Sequence, residues 1–185
     1  MIEANEIGED KGFSMVELVM LVGMIVIMMA ISIPMLSSSM RDMQLVADAR
    51  SIASTLTVAK LTATSQMTHC RLSFDLTNNE WQIEKLNRSN GQFELQQDTN
   101  QLSRGVANSG ITFKTSSDSA PSGFPTSSSS AITFNSRGIP IDGAGVPTAS
   151  NIIYLSKNPS DYAVSVSLAG KVQLWRLAEG QWSAQ

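Results

Sequence analysis

The sequence is poor in the residues that build catalytic and metal sites. It has one cysteine, Cys70, and one histidine, His69, among 185 residues. A single cysteine excludes a disulfide within the chain and a cysteine-based zinc site. Neighbouring side chains in a strand point to opposite faces, so a cooperating Cys-His pair is not expected. We predict a solvated His69, a packed Cys70, no metal site and no cofactor.

The chain also lacks a surplus of positive charge. It holds 13 Lys and Arg against 16 Asp and Glu, and four of these acids lie in the first twelve residues beside Lys11. The remaining residues carry twelve charges of each sign. This balance gives no general electrostatic reason to bind nucleic acid. The glycines of the segment Arg137–Gly145 lack the lysine and spacing of a phosphate-cradling loop. We therefore do not expect an enzyme.

Charge is absent from a long apolar run, Leu18–Leu36. Three residues interrupt its large apolar side chains: Gly23, Ser32 and Pro34. Its 19 residues approach the roughly 20 that a helix needs to cross a bilayer. The run could be a plain membrane anchor, or a secretory signal peptide cleaved near Ala30–Ser32. Neither interpretation gives a role to Glu17, whose carboxylate costs about 2.5–3.5 kcal/mol at mid-membrane and less where it can snorkel.

The junction before this run resembles a known processing signal. The residues Lys11-Gly12-Phe13-Ser14-Met15-Val16-Glu17-Leu18 resemble the type III signal of type IV pilins and type II secretion pseudopilins. In those proteins a short polar leader ends in glycine, phenylalanine begins the mature chain, and glutamate is its fifth residue. Counted from Phe13, Glu17 is fifth and Pro34 is twenty-second, where such proteins commonly have a helix-loosening proline. The acidic leader departs from the family, whose leaders are usually basic.

The resemblance implies cleavage between Gly12 and Phe13 by a prepilin peptidase, followed by methylation of the Phe13 amine. It also implies a single-pass inner-membrane protein with a periplasmic C-terminal head, which assembles with other pseudopilins or pilins. In that assembly Glu17 would neutralise the N-terminal amine of a neighbouring subunit, since five residues span roughly 6–7 Å of helix. Pairing between subunits would then offset the free-energy cost of placing the Glu17 carboxylate in the membrane.

Beyond residue 36 the sequence predicts a continuing helix and a β-rich head. Apolar residues recur at three- and four-residue spacing and indicate one buried helix face: Leu45, Ala49, Ile52, Leu56 and Ala59. The expected segments are a leader at 1–12, a transmembrane segment at 13–36, an amphipathic helix at 37–67 and a head at 68–185. Pro34 is expected to bend or open the helix near the membrane exit.

Short alternating runs separated by polar turns predict the strands of the head. The predicted strands are Cys70–Phe74, Glu80–Leu86, Gln92–Gln96, Ile111–Lys114, Ala131–Phe134, Ile152–Leu155, Tyr162–Leu168 and Lys171–Leu177. Turns are expected at Asn78-Asn79, Asn90-Gly91 and Ala169-Gly170. The Ser-rich segment 115–130 is expected to bury little surface and to be a mobile loop. The predicted fold class is α+β and pilin-like, with a long helix packed on an antiparallel β-rich head.

The strands from Ile132 onwards resemble the C-terminal half of the GspH/FimT family of minor pseudopilins and minor pilins. The resemblance implies a structural subunit at or near the tip of a type II secretion pseudopilus. The alternative is a type IV pilus minor pilin for assembly initiation or DNA uptake. Some members on the pilus side bind DNA through glycine-arginine-any-arginine at the C-terminal turn. Here Gly170-Lys171-Val172-Gln173 keeps one base and lacks the second.

The incomplete motif makes nucleic acid a secondary candidate partner. Lys171, Arg176 and Arg137 are the residues that could make weak contacts with DNA or with another partner. Alternation along the strand places Arg176 and Trp175 on opposite faces. A solvated strand face without a binding role explains the same basic residues.

Overall fold

The computed structural model of the chain describes residues 14–96, 100–102, 111–158 and 160–185. A long helix, α1, runs Met15–Ser65. The strands after it are β1 Cys70–Asp75, β2 Glu80–Leu86, β3 Phe93–Leu95, β4 Asn100–Gln101, β5 Thr112–Lys114, β6 Ala131–Phe134, β7 Pro140–Ile141, β8 Asn151–Lys157, β9 Ser160–Val166, β10 Val172–Ala178 and β11 Gln181–Ala184. The chain divides into two compact units between Met40 and Arg41. The predicted α+β class is confirmed.

The C-terminal end of α1 is closed by its own backbone. Met67 adopts a left-handed φ of 51°. Its amide donates to the Thr64 carbonyl, and the Thr68 amide donates to the Ala63 carbonyl at 3.1 Å, as in a Schellman cap. In its first half, α1 continues through Pro34. This proline does not end the helix, and the loosening expected there stays a prediction.

The second half of α1 buries one face against the head. The predicted stripe is fully buried, and the next turn extends it: Leu45, Ala49, Ile52, Leu56, Ala59 and Ala63. These side chains share one core with residues of β1, β2, β6, β8 and β9. The predicted amphipathic face is therefore confirmed, and it covers strands of two different sheets.

Two antiparallel sheets form the head. The first has the order β3-β2-β1-β6-β7, with β4 also paired to β2, and the second has the order β11-β10-β9-β8-β5. All eight predicted strands are present with small shifts of their ends. The strands not predicted are β4, β7 and β11. Two of them have two residues each, too few for a visible alternation, and β11 has Trp182 as its only large apolar residue.

Most of the Ser-rich segment 115–130 is exposed or half-buried, but the segment makes contacts that the sequence did not indicate. Pro121 is buried, and the Phe124 ring packs edge-on against Trp175 with centroids 6.3 Å apart. The Tyr154 hydroxyl donates to the Pro125 carbonyl at 2.7 Å, and Trp182 Nε1 donates to Ser119 Oγ at 3.0 Å. A few apolar residues of the segment can form a second small core, because side chains of β8, β9, β10 and β11 supply the rest of it.

Candidate functional site

The first half of α1 presents apolar side chains that the described chain does not cover. The segment Met15–Ser32 has 18 residues, is apolar enough to cross a membrane, and is not buried at any position. At 1.5 Å per residue its 18 residues span about 27 Å, close to the roughly 30 Å of a bilayer core. Apolar surface of this extent indicates contact with lipid or with other chains.

The start of this segment has the residues of a helix cap. Ser14 precedes the first helical residue, and its Oγ lies 3.4 Å from the Val16 amide nitrogen. Glu17 is exposed in the first turn, three residues after Ser14. This spacing is that of a capping box, and an acid there also interacts favourably with the positive end of the helix dipole. The Ser-x-x-Glu pattern could have indicated this local role, which was not among the predictions.

The predicted cleavage residues, Gly12 and Phe13, lie outside the described residues. Cleavage and methylation therefore stay predictions. An amine on Phe13 would lie two residues before the first helical residue, Met15. A positive charge at a helix N-terminus is unfavourable by roughly 0.3–1 kcal/mol. A carboxylate in the first turn would offset that repulsion, so Glu17 would have an electrostatic reason for its position within a single processed subunit.

Two glycine turns touch at one corner of the head. Gly138 lies between β6 and β7 with a φ of 74°, and Gly170 lies between β9 and β10 with a φ of 71°. A Cβ atom on Gly170 would lie 2.4 Å from the Gly138 carbonyl oxygen. Alternation along the strands predicts the turn at Gly170. It does not predict this contact, which joins the two sheets through their backbones.

Lys60 of α1 contacts both glycine turns. Its Nζ donates to the Gly170 carbonyl oxygen at 2.8 Å. Its Cε and Cγ atoms would lie 3.0 and 3.2 Å from a Cβ on Gly138, so the side chain crosses directly over that glycine. Lys60 lies off the apolar stripe of α1. The sequence gives no signal for this role, because the two partner turns lie far along the chain.

The corner gathers part of the predicted basic set. Arg137 and Lys171 are directly adjacent in sequence to the two touching glycines, and both are exposed. The ion pairs of the described residues lie elsewhere: Arg71–Glu84 and Lys114–Asp161. Arg176 lies five residues beyond Lys171, about 16 Å along the strand. The touching turns thus place Arg137 and Lys171 at the same corner of the head as Lys60, which we call the basic corner, and Arg176 is not part of it.

Cys70 is confirmed as a packed residue. It is fully buried, and burial raises the pKa of its thiol to about 11. The thiol is therefore protonated at neutral pH and is a poor nucleophile and metal ligand. The neighbouring His69 is half-buried. In the part of the chain that the structure describes, no group of three or more His, Cys, Asp and Glu side chains is placed to hold a metal ion.

A long N-terminal helix with an exposed apolar half, whose second half packs on an antiparallel β head, is the architecture of pilin-like proteins. The sequence model of the family described as "Type II transport protein GspH" matches residues 48–170. This match covers more than half of the chain. The chain therefore belongs to the GspH family.

A solved pseudopilin structure supports the same fold. The minor pseudopilin EpsH of the Type 2 Secretion System of Vibrio cholerae is 14% identical, and the match covers 75% of this chain and 99% of that chain with a TM-score of 0.50. The type IV minor pilin FimU of Pseudomonas aeruginosa is 18% identical, with 70% and 87% covered and a TM-score of 0.49. At 14% identity the likeness to EpsH concerns the fold alone. A comparison with curated proteins gives no match.

Proposed function

We propose that this protein is a minor pseudopilin of a type II secretion system, a structural subunit at or near the tip of the periplasmic pseudopilus. It acts by assembly and not by catalysis. The observation that carries this proposal is the exposed apolar segment Met15–Ser32, which the rest of the described chain leaves uncovered. Such a surface requires lipid before assembly and other helices after it. Membership of the GspH family favours type II secretion as the system.

The proposal includes processing at the inner membrane. A prepilin peptidase cuts between Gly12 and Phe13, and the new Phe13 amine is methylated, leaving the head in the periplasm. Mass spectrometry of the protein extracted from membranes of its own cells should find a chain that starts at N-methylated Phe13. A chain that still begins at Met1, or one that begins at Ile33 after signal-peptide cleavage, would contradict the proposal.

Glu17 is the residue that the proposal makes essential for assembly. Its carboxylate pairs with the Phe13 amine of a neighbouring subunit in a helix bundle of low dielectric. Glu17→Ala should leave membrane insertion intact, because removal of a charge eases burial, and should reduce crosslinking to neighbouring subunits. Glu17→Gln is the matched variant, since glutamine still fits the capping box with Ser14. Loss of crosslinking in both variants supports the charge pair. Full crosslinking by Glu17→Gln would leave Glu17 only its local capping role.

The basic corner favours one alternative function, that of a type IV pilus minor pilin that takes up DNA. Arg137 and Lys171 lie beside each other with no ion pair among the described residues. Against this, the chain from Ser37 onwards has 12 bases and 11 acids, so only a local patch could attract phosphate. Gln173 also stands where a second arginine would help most.

We therefore expect a purified head that begins near Ser37 to bind duplex DNA no better than roughly 10⁻⁴–10⁻⁶ M at physiological salt. Fluorescence anisotropy across a salt series measures this affinity. Arg88→Ala, which removes an exposed base in a different turn, is the control for Lys171→Ala combined with Arg137→Ala. Submicromolar binding that the double variant abolishes and the control retains would make DNA uptake the leading function.

A further inference from the structure

The last strand of the head presents an unpaired edge. β11 stands at the end of the order β11-β10-β9-β8-β5. The Gln185 amide donates to the Leu174 carbonyl at 3.0 Å, and Ser183 is paired with Arg176. Backbone groups alternate in direction along an antiparallel strand, so the N–H and C=O groups of Trp182 and Ala184 face away from β10. These four groups have no hydrogen bond from any part of the chain that the structure describes.

In contrast, the opposite edge of the same sheet, formed by β5, is not free to pair with a further strand. The Phe113 amide of β5 donates to Asn79 Oδ1 at 2.8 Å, so a side chain from the first sheet occupies the outward-facing group. Beyond β5 the chain folds back on itself, and the Ser117 amide donates to the Thr126 carbonyl at 2.8 Å. The sheet can therefore accept a further strand at β11 and not at β5.

The β11 edge lacks two of the devices that usually protect an exposed strand, a charged side chain and a proline. Its segment Gln181–Gln185 contains no charged residue and no proline. The strand is held in a fixed position, because Trp182 Nε1 donates to Ser119 Oγ at 3.0 Å and its ring lies 5.6 Å from that of Tyr154. The turn Glu179-Gly180, with φ values of 52° and 77°, fixes the register of β11 on β10. The edge is thus preorganised for pairing.

We propose that β11 pairs with an extended segment of a neighbouring subunit in the filament, which adds one strand to the second sheet. The recognised chemistry is a backbone in extended conformation, whose N–H and C=O groups meet those of Trp182 and Ala184. This inference rests on the proposed assembly function, because it requires a neighbouring subunit. It adds a contact in the head to the contact that Glu17 makes at the start of the helix.

Amide hydrogen exchange of the full-length chain tests the proposal directly. The protein is compared in detergent solution and in assembled filaments, with mass spectrometry of the peptide that contains Gln181–Gln185. Because Trp182 and Ala184 gain hydrogen-bond partners, their exchange should slow by about tenfold or more on assembly. Unchanged exchange of these two amides in filaments would overturn the proposal.

Ala184→Pro tests the same edge by substitution. Proline at this position removes an outward-facing N–H and leaves the bonds from β11 to β10 in place. Incorporation into filaments should fall by about tenfold, while the melting temperature of the dispersed protein stays unchanged. Ser183→Pro is the matched control, because it removes an amide that faces β10 and should lower the melting temperature.

A second variant at residue 184 and the variants at Glu17 distinguish failure of the strand-pairing proposal from failure of the proposed function. If Ala184→Pro does not fold, Ala184→Lys places a charge on the same edge without changing the backbone. Incorporation of a folded residue-184 variant at the wild-type level would overturn the strand-pairing proposal. If Glu17→Ala still blocks crosslinking in that experiment, the proposed assembly function stands without it. If the wild-type chain itself is not incorporated into filaments, the proposed function fails.

Discussion

The contact between the two glycine turns predicts that Gly170→Ala strongly destabilises the head. An added Cβ would meet the Gly138 carbonyl oxygen at 2.4 Å and Lys60 Nζ at 3.1 Å. A backbone oxygen cannot rotate aside as the end of a side chain can, so the two turns must move apart. Their separation would also disturb the 2.8 Å hydrogen bond from Lys60 to the Gly170 carbonyl oxygen.

The magnitude follows from three contributions. Alanine in a left-handed conformation costs roughly 1–2 kcal/mol, and glycine at 170 has a φ of 71°. Forcing an extra methyl group into a packed contact costs about 1–3 kcal/mol. Weakening a hydrogen bond from a charged donor costs about 1–2 kcal/mol more. Because these contributions overlap, we expect a loss of about 3–5 kcal/mol in the free energy of unfolding, a large part of the 5–15 kcal/mol typical of a domain.

Gly180→Ala is the matched control for this substitution. Gly180 lies in the next turn of the same sheet with a φ of 77°, and a Cβ there meets nothing within 4 Å. Its loss should be limited to the roughly 1–2 kcal/mol of the left-handed conformation. Urea unfolding of the head, residues 41–185, followed by tryptophan fluorescence measures both variants. Equal losses in the two variants would refute the reasoning, because the contact at Gly138 would then contribute nothing.

Three further predictions concern the same head. Lys60→Met keeps the aliphatic packing over Gly138 but removes the donor, and should lower the free energy of unfolding in urea by about 1–2 kcal/mol. Burial raises the pKa of Tyr154 from 10.0 to about 12. As the pH rises, the Tyr154 hydroxyl therefore ionises in the unfolded chain before it ionises in the folded chain, which favours unfolding. Between pH 10 and pH 12, the free energy of unfolding of the wild type should fall by up to about 2–3 kcal/mol more than that of Tyr154→Phe. Maleimide should label Cys70 promptly in urea and only at the rate of unfolding in the native head, because the thiol is buried; rapid native labelling would contradict its burial.

Local patterns explain how much of the fold could be predicted. The stripe from Leu45 to Ala59 was predictable because helix periodicity directly reports the buried face. The hairpin at Gly170 was predictable because two alternating runs flank a turn residue. β11 was not, since Gln181–Ala184 contains only one large apolar side chain and pairs through backbone groups. The packing of segment 115–130 was also missed, because the partners of Pro121 and Phe124 lie on distant strands.

The candidate functional site also has a part that the sequence predicts and a part that only the fold reveals. The residues from Gly12 to Glu17 that resemble a processing signal are contiguous, so the resemblance needs no knowledge of the fold, and the processing that it implies stays a prediction. The basic corner is built from residues that are distant in sequence, and only the folded head brings Lys60 to Gly138 and Gly170. The sequence-based prediction named Lys171, Arg176 and Arg137 as one set, whereas the fold places Lys171 and Arg137 next to the touching glycines and Arg176 further along β10. Contacts between turns of different sheets leave no periodic trace in the sequence.

The distribution of charge along α1 limits what can compensate Glu17. No other charged residue lies between Glu17 and Arg41, which is about 36 Å further along the helix. A carboxylate drawn into an apolar helix bundle therefore has no cationic partner on its own helix. Under the proposed function, the available partner is the Phe13 amine of a neighbouring subunit. That amine forms only when the peptide bond between Gly12 and Phe13 is cleaved. Assembly then depends on processing. An unprocessed chain would bring the Glu17 carboxylate into the helix bundle without the positive charge that neutralises it.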